Sequence, residues 1–157
     1  MIRCSIVGAT GYTGIELARI LLNHPRVQIS SLTSRQEEPP ELFKLLPELP
    51  KNSPLAITKF DFKKVVNESD VIFCCLPHTE SAELVGDLDR YDKIVIDLSA
   101  DFRLKNAKLY KAWYGVKHPR ESLLKKAVYG LPEIYRDEIV NASLIANPGC
   151  YPTATLL

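Results

Sequence analysis

A doubly wound α/β fold, a mainly parallel sheet with helices on both faces, is what this sequence predicts, and three observations carry it. The first is Ile2-Arg3-Cys4-Ser5-Ile6-Val7, a short β-branched apolar run, followed by Gly8-Ala9-Thr10-Gly11-Tyr12-Thr13-Gly14 and then by Ile15 to Leu22 with apolar residues at helical spacing. The second is Asp70-Val71-Ile72-Phe73-Cys74-Cys75-Leu76-Pro77, apolar on both faces as a central parallel strand must be. The third is the alternation of further strand-like runs (26–33, 93–99, 143–146) with helix-like ones. A chain of 157 residues, 46% hydrophobic and 25% charged, has the size and composition of one ordinary globular domain.

The glycine run organises the first unit of the fold. Gly8 permits a sharp exit from the strand, because it takes φ > 0 without a Cβ clash. Gly11 lets a phosphate approach the backbone, and Gly14 lets the helix lie close on the strand. Unpaired N–H groups at the helix start, with the positive end of its dipole, make an anion site. The spacing is G-x-x-G-x-x-G, against the G-x-G-x-x-G of the commonest dinucleotide loop. Pro25 ends this helix near Asn23-His24, with His24 a helix-end residue.

The second strand, Arg26 to Thr33, matters for its tip. A Rossmann-like unit reads the adenosine ribose there, with an acid for a 2′-hydroxyl or a basic residue for a 2′-phosphate. The tip is Thr33-Ser34-Arg35, with no acid before Glu37 and Glu38, so NADP is the expected cofactor. Residues 36–54 carry Pro39, Pro40, Pro47, Pro50 and Pro54 and read as a surface excursion with a short helix at Leu42–Leu46. Asp61 is placed to cap a helix through Asn67.

Cys74 and Cys75 sit within the central strand as buried, inert packing residues. His78 follows at the carboxyl end, where open α/β sheets bind ligands; it contacts cofactor or substrate, or is a loop histidine satisfied by backbone. Thr79 to Asp89 reads as helix, with Thr79 and Ser81 as candidate caps. After the strand Lys93–Ser99 comes Ser99-Ala100-Asp101-Phe102-Arg103, again at a carboxyl end; Asp101 and Arg103 either serve a ligand or pair with each other. Lys105–Gly115 and Glu121–Lys126 read as surface helices with Tyr110, Trp113 and Tyr114, and His118 is assigned no role. Residues 127–133 form a loop into a helix ending at Val140, and Ser143–Ala146 is the last strand.

The chain closes on Asn147-Pro148-Gly149-Cys150-Tyr151-Pro152-Thr153. A cysteine after a strand and a Pro-Gly turn, opening a helix, is where the dipole favours a nucleophilic thiolate and free N–H groups can hold an oxyanion. Beside a nucleotide loop, that placement points to cysteine-dependent aldehyde or acyl-phosphate chemistry.

Composition narrows the remaining classes. The net charge of +1 courts neither a polyanion nor a membrane surface, and no apolar run approaches the ~20 residues that span a bilayer. The chain opens directly into a strand, leaving no room for a signal peptide, and four cysteines without paired spacing are expected as free thiols in a reducing cytoplasm. With no CxxC, no HExxH and no carboxylate cluster, no metal is expected.

Gly8–Gly14, Ser34-Arg35, Leu76-Pro77-His78, Asp97 to Arg103, Tyr129 to Glu133 and Asn147 to Thr153 together resemble the N-acetyl-γ-glutamyl-phosphate reductase family of arginine biosynthesis over the whole chain. Leu98 to Arg103 and Pro148 to Thr153 are the specific strings; the glycine loop alone would be weak. The resemblance implies attack of Cys150 on a γ-acyl phosphate and reduction of the resulting thioester, with hydride from NADPH, to the semialdehyde. It further implies cofactor contacts from Gly8, Thr10, Gly11, Tyr12, Thr13, Gly14, Ser34, Arg35, Leu76, Pro77, His78, Ser99, Ala100 and Pro148, and substrate contacts from Asp101, Arg103 and Asn147. Members are about twice this long, and their catalytic histidine lies in a second domain; neither His24, His78 nor His118 sits in a matching position. The expectation is therefore an NADP-binding domain over 1–149, with 150–157 opening the cysteine helix that leads into a catalytic and dimerisation domain outside this chain. The expected partner is a small-molecule acyl phosphate, with the full-length form a homo-oligomer. Two other readings stay open: the related aminoadipyl-phosphate reductase of lysine biosynthesis, and a stand-alone NADP-binding sensor.

Overall fold

In a computed structural model that describes residues 1–157, the chain divides into two units, Met1–Cys75 and Leu76–Leu157. In the first, β1 (Ile2–Val7), β2 (Val27–Ser34), β3 (Ile57–Lys59) and β4 (Val71–Cys74) pair side by side, all parallel, in the order β3-β2-β1-β4. The chain winds outward from β1 to β3 and then returns to the other side of β1, which is the reversal that defines a doubly wound sheet. Right-handed crossovers put α1 (Tyr12–Leu22), leading outward, and α3 (Phe62–Glu68), leading back, on opposite faces.

Alternation along the strands explains both faces. Cys4 and Ile6 of β1, Leu32 of β2 and Ile57 of β3 form one cluster with Ala18 and Leu21 of α1 and with Leu42 and Leu46 of the excursion. Ser5, pointing the other way, meets the α3 side: its hydroxyl lies 2.5 Å from that of Ser69, which donates to the Val65 carbonyl at 2.6 Å. A register shift between Cys4 and Ser5 leaves Ser30 as an extra residue in β2.

Helix ends follow local chemistry. Asn23 ends α1 two residues before Pro25, as the proline requires. Asp61 caps α3 by accepting from the Lys64 N–H at 3.1 Å. The excursion carries α2 (Leu42–Leu45) where a short helix is expected. Just beyond it comes β3, a strand that the sequence does not announce.

The second unit is a three-stranded parallel sheet in which β7 (Leu144–Ala146) lies between β5 (Ile94–Asp97) and β6 (Val128–Tyr129). Around it run α4 (Ser81–Leu88), α5 (Ala107–Tyr114), a 3-10 turn at Glu121–Leu124, α6 (Pro132–Val140) and α7 (Cys150–Leu156). Three expectations need correction here. Residues 127–133, read as loop, contain β6; Glu121–Lys126, read as helix, holds only the 3-10 turn Glu121–Leu124; and Cys75, read as buried, is partly exposed while Cys74 is sealed. On α5, capped by the Asn106 side chain and closed by Gly115 at φ 74°, Tyr110 is fully buried and Trp113 is 78% exposed. No helix is long and apolar enough to cross a membrane.

Candidate functional site

The glycine loop sits at the carboxyl end of β1. Gly8 adopts φ 88°, and its N–H, with that of Ala9, donates to the Thr33 carbonyl at 3.0 and 2.9 Å, fastening the loop to β2. A Cβ on Gly14 would stand 2.4 Å from the Gly8 carbonyl oxygen and 2.8 Å from the Ala9 Cα, so only glycine lets α1 approach β1 this closely. A Cβ on Gly11 would meet nothing nearer than the Gly8 carbonyl oxygen at 3.7 Å, an ordinary contact, so this position is not crowded. Gly11 is the cap residue of α1, and no side chain satisfies the first-turn N–H groups. Thr10 Oγ1 lies 3.3 Å from Ser34 Oγ, joining the loop to the tip of β2, and the Gln36 N–H donates to the same Ser34 oxygen at 3.2 Å. Ser34 is buried, while Arg35, Tyr12 and Thr13 are exposed. Clearance at Gly11, uncapped N–H groups and a basic residue at the strand tip are features that fit a dinucleotide phosphate, and the expected contact residues Gly8, Thr10–Gly14, Ser34 and Arg35 all belong to this loop and strand tip. A concavity of this unit lies at the opposite, amino ends of β1 and β2, among Leu22, Val27 and Leu55, away from the glycine loop.

In the second unit two buried carboxylates build the strand-end loops. Asp97, the last residue of β5, accepts from the Ser81 hydroxyl at 2.5 Å, the Ser99 hydroxyl at 2.7 Å and the Ser99 N–H at 3.2 Å. Burial pushes its carboxyl above the ordinary value, against those donors. Asp101 accepts from the N–H of Thr79 at 2.8 Å, the N–H of Ala82 at 2.9 Å and the phenol of Tyr110 at 2.7 Å. Burial, and then the bond to Asp101, push the Tyr110 phenol up.

These bonds revise three expectations. Neither Thr79 nor Ser81 caps α4: Thr79 sits at φ 72°, Ser81 turns to Asp97, and Asp101 satisfies the helix start from twenty residues downstream. Asp101 does not pair with Arg103. It is also fully buried, with both oxygens bonded to donors that hold the loop. His118, given no role from the sequence, is sealed at 1% exposure, with its ring edge-on to Phe102 and Tyr110. Its Nδ1 accepts from the Arg120 N–H at 3.1 Å and its Nε2 has no partner. Asp97 and Tyr110 were likewise not singled out; only the run of polar residues after the strand hinted at such a network.

Arg103 ties down the turn that carries the cysteine. Its Nε donates to the Asn147 carbonyl at 2.8 Å and an Nη to the Leu98 carbonyl at 3.0 Å. Its other Nη lies against Gly149, 3.1 Å from where a Cβ would stand. Asn147 N–H donates to the Asp97 carbonyl at 2.8 Å, and Pro148 is buried. Cys150 then opens α7, exposed, with Gly149 as cap residue and no side-chain cap. Of the other expected residues, Ser99 is buried in the Asp97 network, Leu76 and Ala100 are half-buried, and Pro77 is exposed. His78 is exposed too, its ring 5.8 Å from that of Tyr114.

Comparison with known proteins places these features in context. The model of the family described as semialdehyde dehydrogenase, NAD binding domain, matches residues 3–142. An N-acetyl-gamma-glutamyl-phosphate reductase of Halothermothrix orenii is 50% identical over 157 residues, which is 100% of this chain and 45% of that protein. A [LysW]-L-2-aminoadipate/[LysW]-L-glutamate phosphate reductase of Sulfurisphaera tokodaii is 47% identical, again over 100% of this chain and 45% of its own length. The chain thus spans about half the length of the curated relatives it matches. Aspartate semialdehyde dehydrogenase II of Vibrio cholerae, solved with ASA, superposes with a TM-score of 0.67 at 18% identity, over 99% of this chain and 44% of the other.

Proposed function

Because this chain belongs to the semialdehyde dehydrogenase NAD-binding domain family, we propose that it is the cofactor-binding half of an NADPH-dependent acyl-phosphate reductase. The proposed reaction converts N-acetyl-γ-glutamyl phosphate to N-acetylglutamate semialdehyde, in arginine biosynthesis, through a thioester on Cys150. The observation that carries this reading is the exposed Cys150 as first residue of α7, on a turn that Arg103 clamps. The 50% identical relative supports the choice of substrate.

Each residue has a defined task. The Cys150 sulfur attacks the acyl carbon; the C–S bond forms, the bond from carbon to the phosphate oxygen breaks, and phosphate leaves with the electron pair. The N–H groups at the start of α7, which no side chain caps, would be available to charge developing on the carbonyl oxygen. Arg103 holds the Asn147–Gly149 backbone in place, so the sulfur stays aimed. The dinucleotide, when bound, supplies hydride. Gly11 and the start of α1 take its phosphates, while Ser34 and Arg35 take the 2′-phosphate. The thiol proton needs a base. The family resemblance assigns that base to a histidine in the half of the protein beyond this chain, matched by none of His24, His78 and His118. Residues 1–149 then form the NADP-binding domain and 150–157 lead into a catalytic and dimerisation domain of a homo-oligomer.

The LysW-type relative, 47% identical, keeps a carrier-linked aminoadipyl phosphate as the second substrate reading. Fluorescence titration of this chain with NADPH and NADH tests the cofactor reading. A clear preference for NADPH, weakened by Arg35→Ala, is expected, with little or no turnover by the chain alone. Equal binding of both dinucleotides overturns the Arg35 assignment, binding of neither overturns the cofactor reading, and robust turnover without a second polypeptide overturns the half-enzyme reading.

A further inference from the structure

We propose that Lys59 is a second ligand for the 2′-phosphate and that Glu37 is the built-in anion it must displace. The inference rests on the NADP reading above and deepens it. The strand β3 pairs with β2 so that Leu32 faces Ile57 and Ser34 faces Lys59. Register partners in neighbouring strands project to one face, and residues two apart along a strand share it. Ile57 and Leu32 both lie in the cluster built on α1, so Lys59 leaves the sheet on the α1 side, where Ser34 meets Thr10 of the glycine loop. Ser34 and Lys59 are thus register neighbours on one face at the tip of β2, and Arg35 follows Ser34 directly in sequence.

The ammonium of Lys59 is already engaged. Its Nζ donates to both carboxylate oxygens of Glu37, at 2.8 and 2.6 Å. The chain bends after Arg35 and Glu37 comes back onto β3, so a carboxylate occupies the lysine next to the strand tip proposed to take the 2′-phosphate. Both side chains are exposed, 59% and 81%, and an exposed ion pair of this kind contributes little net stability. A dianionic phosphate, with more charge and three acceptor oxygens, outcompetes a single carboxylate for the ammonium. NADH brings no anion to this position and cannot open the pair. Lys59 therefore strengthens the phosphate-bearing dinucleotide, while Glu37 lowers the affinity for NADPH by occupying the ammonium and leaves NADH untouched.

Fluorescence titrations of the 157-residue chain with NADPH and NADH, with Lys59→Gln, Lys59→Arg, Glu37→Gln and Arg35→Ala as variants, test this. Lys59→Gln is expected to weaken NADPH by about tenfold, the loss of one hydrogen bond to a charged group, and to leave NADH unchanged. Lys59→Arg restores the NADPH affinity, and Glu37→Gln raises it severalfold. If the wild-type chain prefers NADPH and responds to Arg35→Ala, yet Lys59→Gln changes neither dinucleotide or both equally, the role of Lys59 is overturned and the cofactor reading survives. A Glu37→Gln chain that loses NADH affinity overturns the competitor role, because Glu37 then binds ribose hydroxyls. A wild-type chain without preference overturns both readings together. Thermal unfolding of each variant, unchanged at these exposed positions, separates binding from folding.

Discussion

Substituting Asp101→Asn keeps the shape of the side chain and removes one acceptor from a place where three donors converge. In the native chain Oδ1 takes the Thr79 N–H and the Tyr110 phenol, and Oδ2 takes the Ala82 N–H. Asparagine with its oxygen at the two-donor position turns an NH2 group against the Ala82 N–H. That leaves a buried donor unpaired, at a cost of about 1–3 kcal/mol. The two surviving bonds lose their charge assistance, about 1 kcal/mol each. Burying one charge fewer returns part of this, so the net loss is about 2–4 kcal/mol. For a chain of this length the melting temperature falls by roughly 2–4 °C per kcal/mol, so a drop of about 5–15 °C is expected. Thermal unfolding by circular dichroism gives that number, and hydrogen exchange at the Thr79 and Ala82 amides reads the same bonds locally. Tyr110→Phe, which leaves both amides bonded, is the milder control at about 1 kcal/mol. A melting point within about 1 °C of wild type, with both amides still protected, would falsify the assignment of Asp101 as the cap of α4.

Gly14→Ala pushes a Cβ to 2.4 Å from the Gly8 carbonyl, about 1 Å short of ordinary contact with a backbone atom, so urea unfolding should show a loss of about 2 kcal/mol or more even after the helix-propensity gain of alanine. Gly11→Ala, with 3.7 Å of clearance, should keep stability within ~0.5 kcal/mol and lose NADPH affinity; the reverse pattern refutes the division of roles. With a thiol reagent at neutral pH, Cys150 should react ahead of the other three, since it is exposed, Cys75 is only partly exposed, Cys4 and Cys74 are buried, and burial, with the charge of Asp70, pushes the Cys4 thiol up to about 11. A fast phase that persists in Cys150→Ser sinks that expectation. Burial holds the His118 imidazole below its ordinary value despite the upward pull of Asp101, so the unfolded chain binds more protons below about pH 6.5 and stability should fall as pH drops from 7 toward 5. His118→Asn should flatten that slope in urea titrations, and an unaltered slope assigns it elsewhere.

What the sequence announced and what it concealed divide along the range of the interactions. β1, the glycine loop and α1 are local: alternation, glycine φ and a terminating proline act within a few residues, and Asn23 ends α1 as Pro25 dictates. Cys150 at a helix start was legible for the same reason. β3 and β6 were not, because three and two residues carry no period, and each exists only through its partner, β2 or β7. The cap of α4 was misread because its acceptor lies about twenty residues away in sequence, while Thr79 and Ser81 offered plausible local caps. The burial of His118 is concealed likewise: nothing beside it in sequence shows Phe102 and Tyr110 closing over its ring.

The composition of the Asp97-Leu98-Ser99-Ala100-Asp101-Phe102-Arg103 string then has a physical reason. A carboxylate is the one side chain that accepts from several donors and presents none, so it suits a point where N–H and O–H groups converge. Asp97 gathers two serine hydroxyls and an N–H; Asp101 gathers two N–H groups and a phenol. Ser99 links the pair, donating to Asp97 and accepting from the Asp101 N–H at 3.1 Å. Amide side chains at either acid would set donor against donor. Phe102 closes on His118, and Arg103, with donors only, does the complementary work of collecting the carbonyls of Leu98 and Asn147. The acids thus fix the loop after β5, the arginine carries that position across to the turn after β7, and Cys150 inherits it one residue beyond Gly149. Most of the string acts on the cysteine through the backbone that presents it.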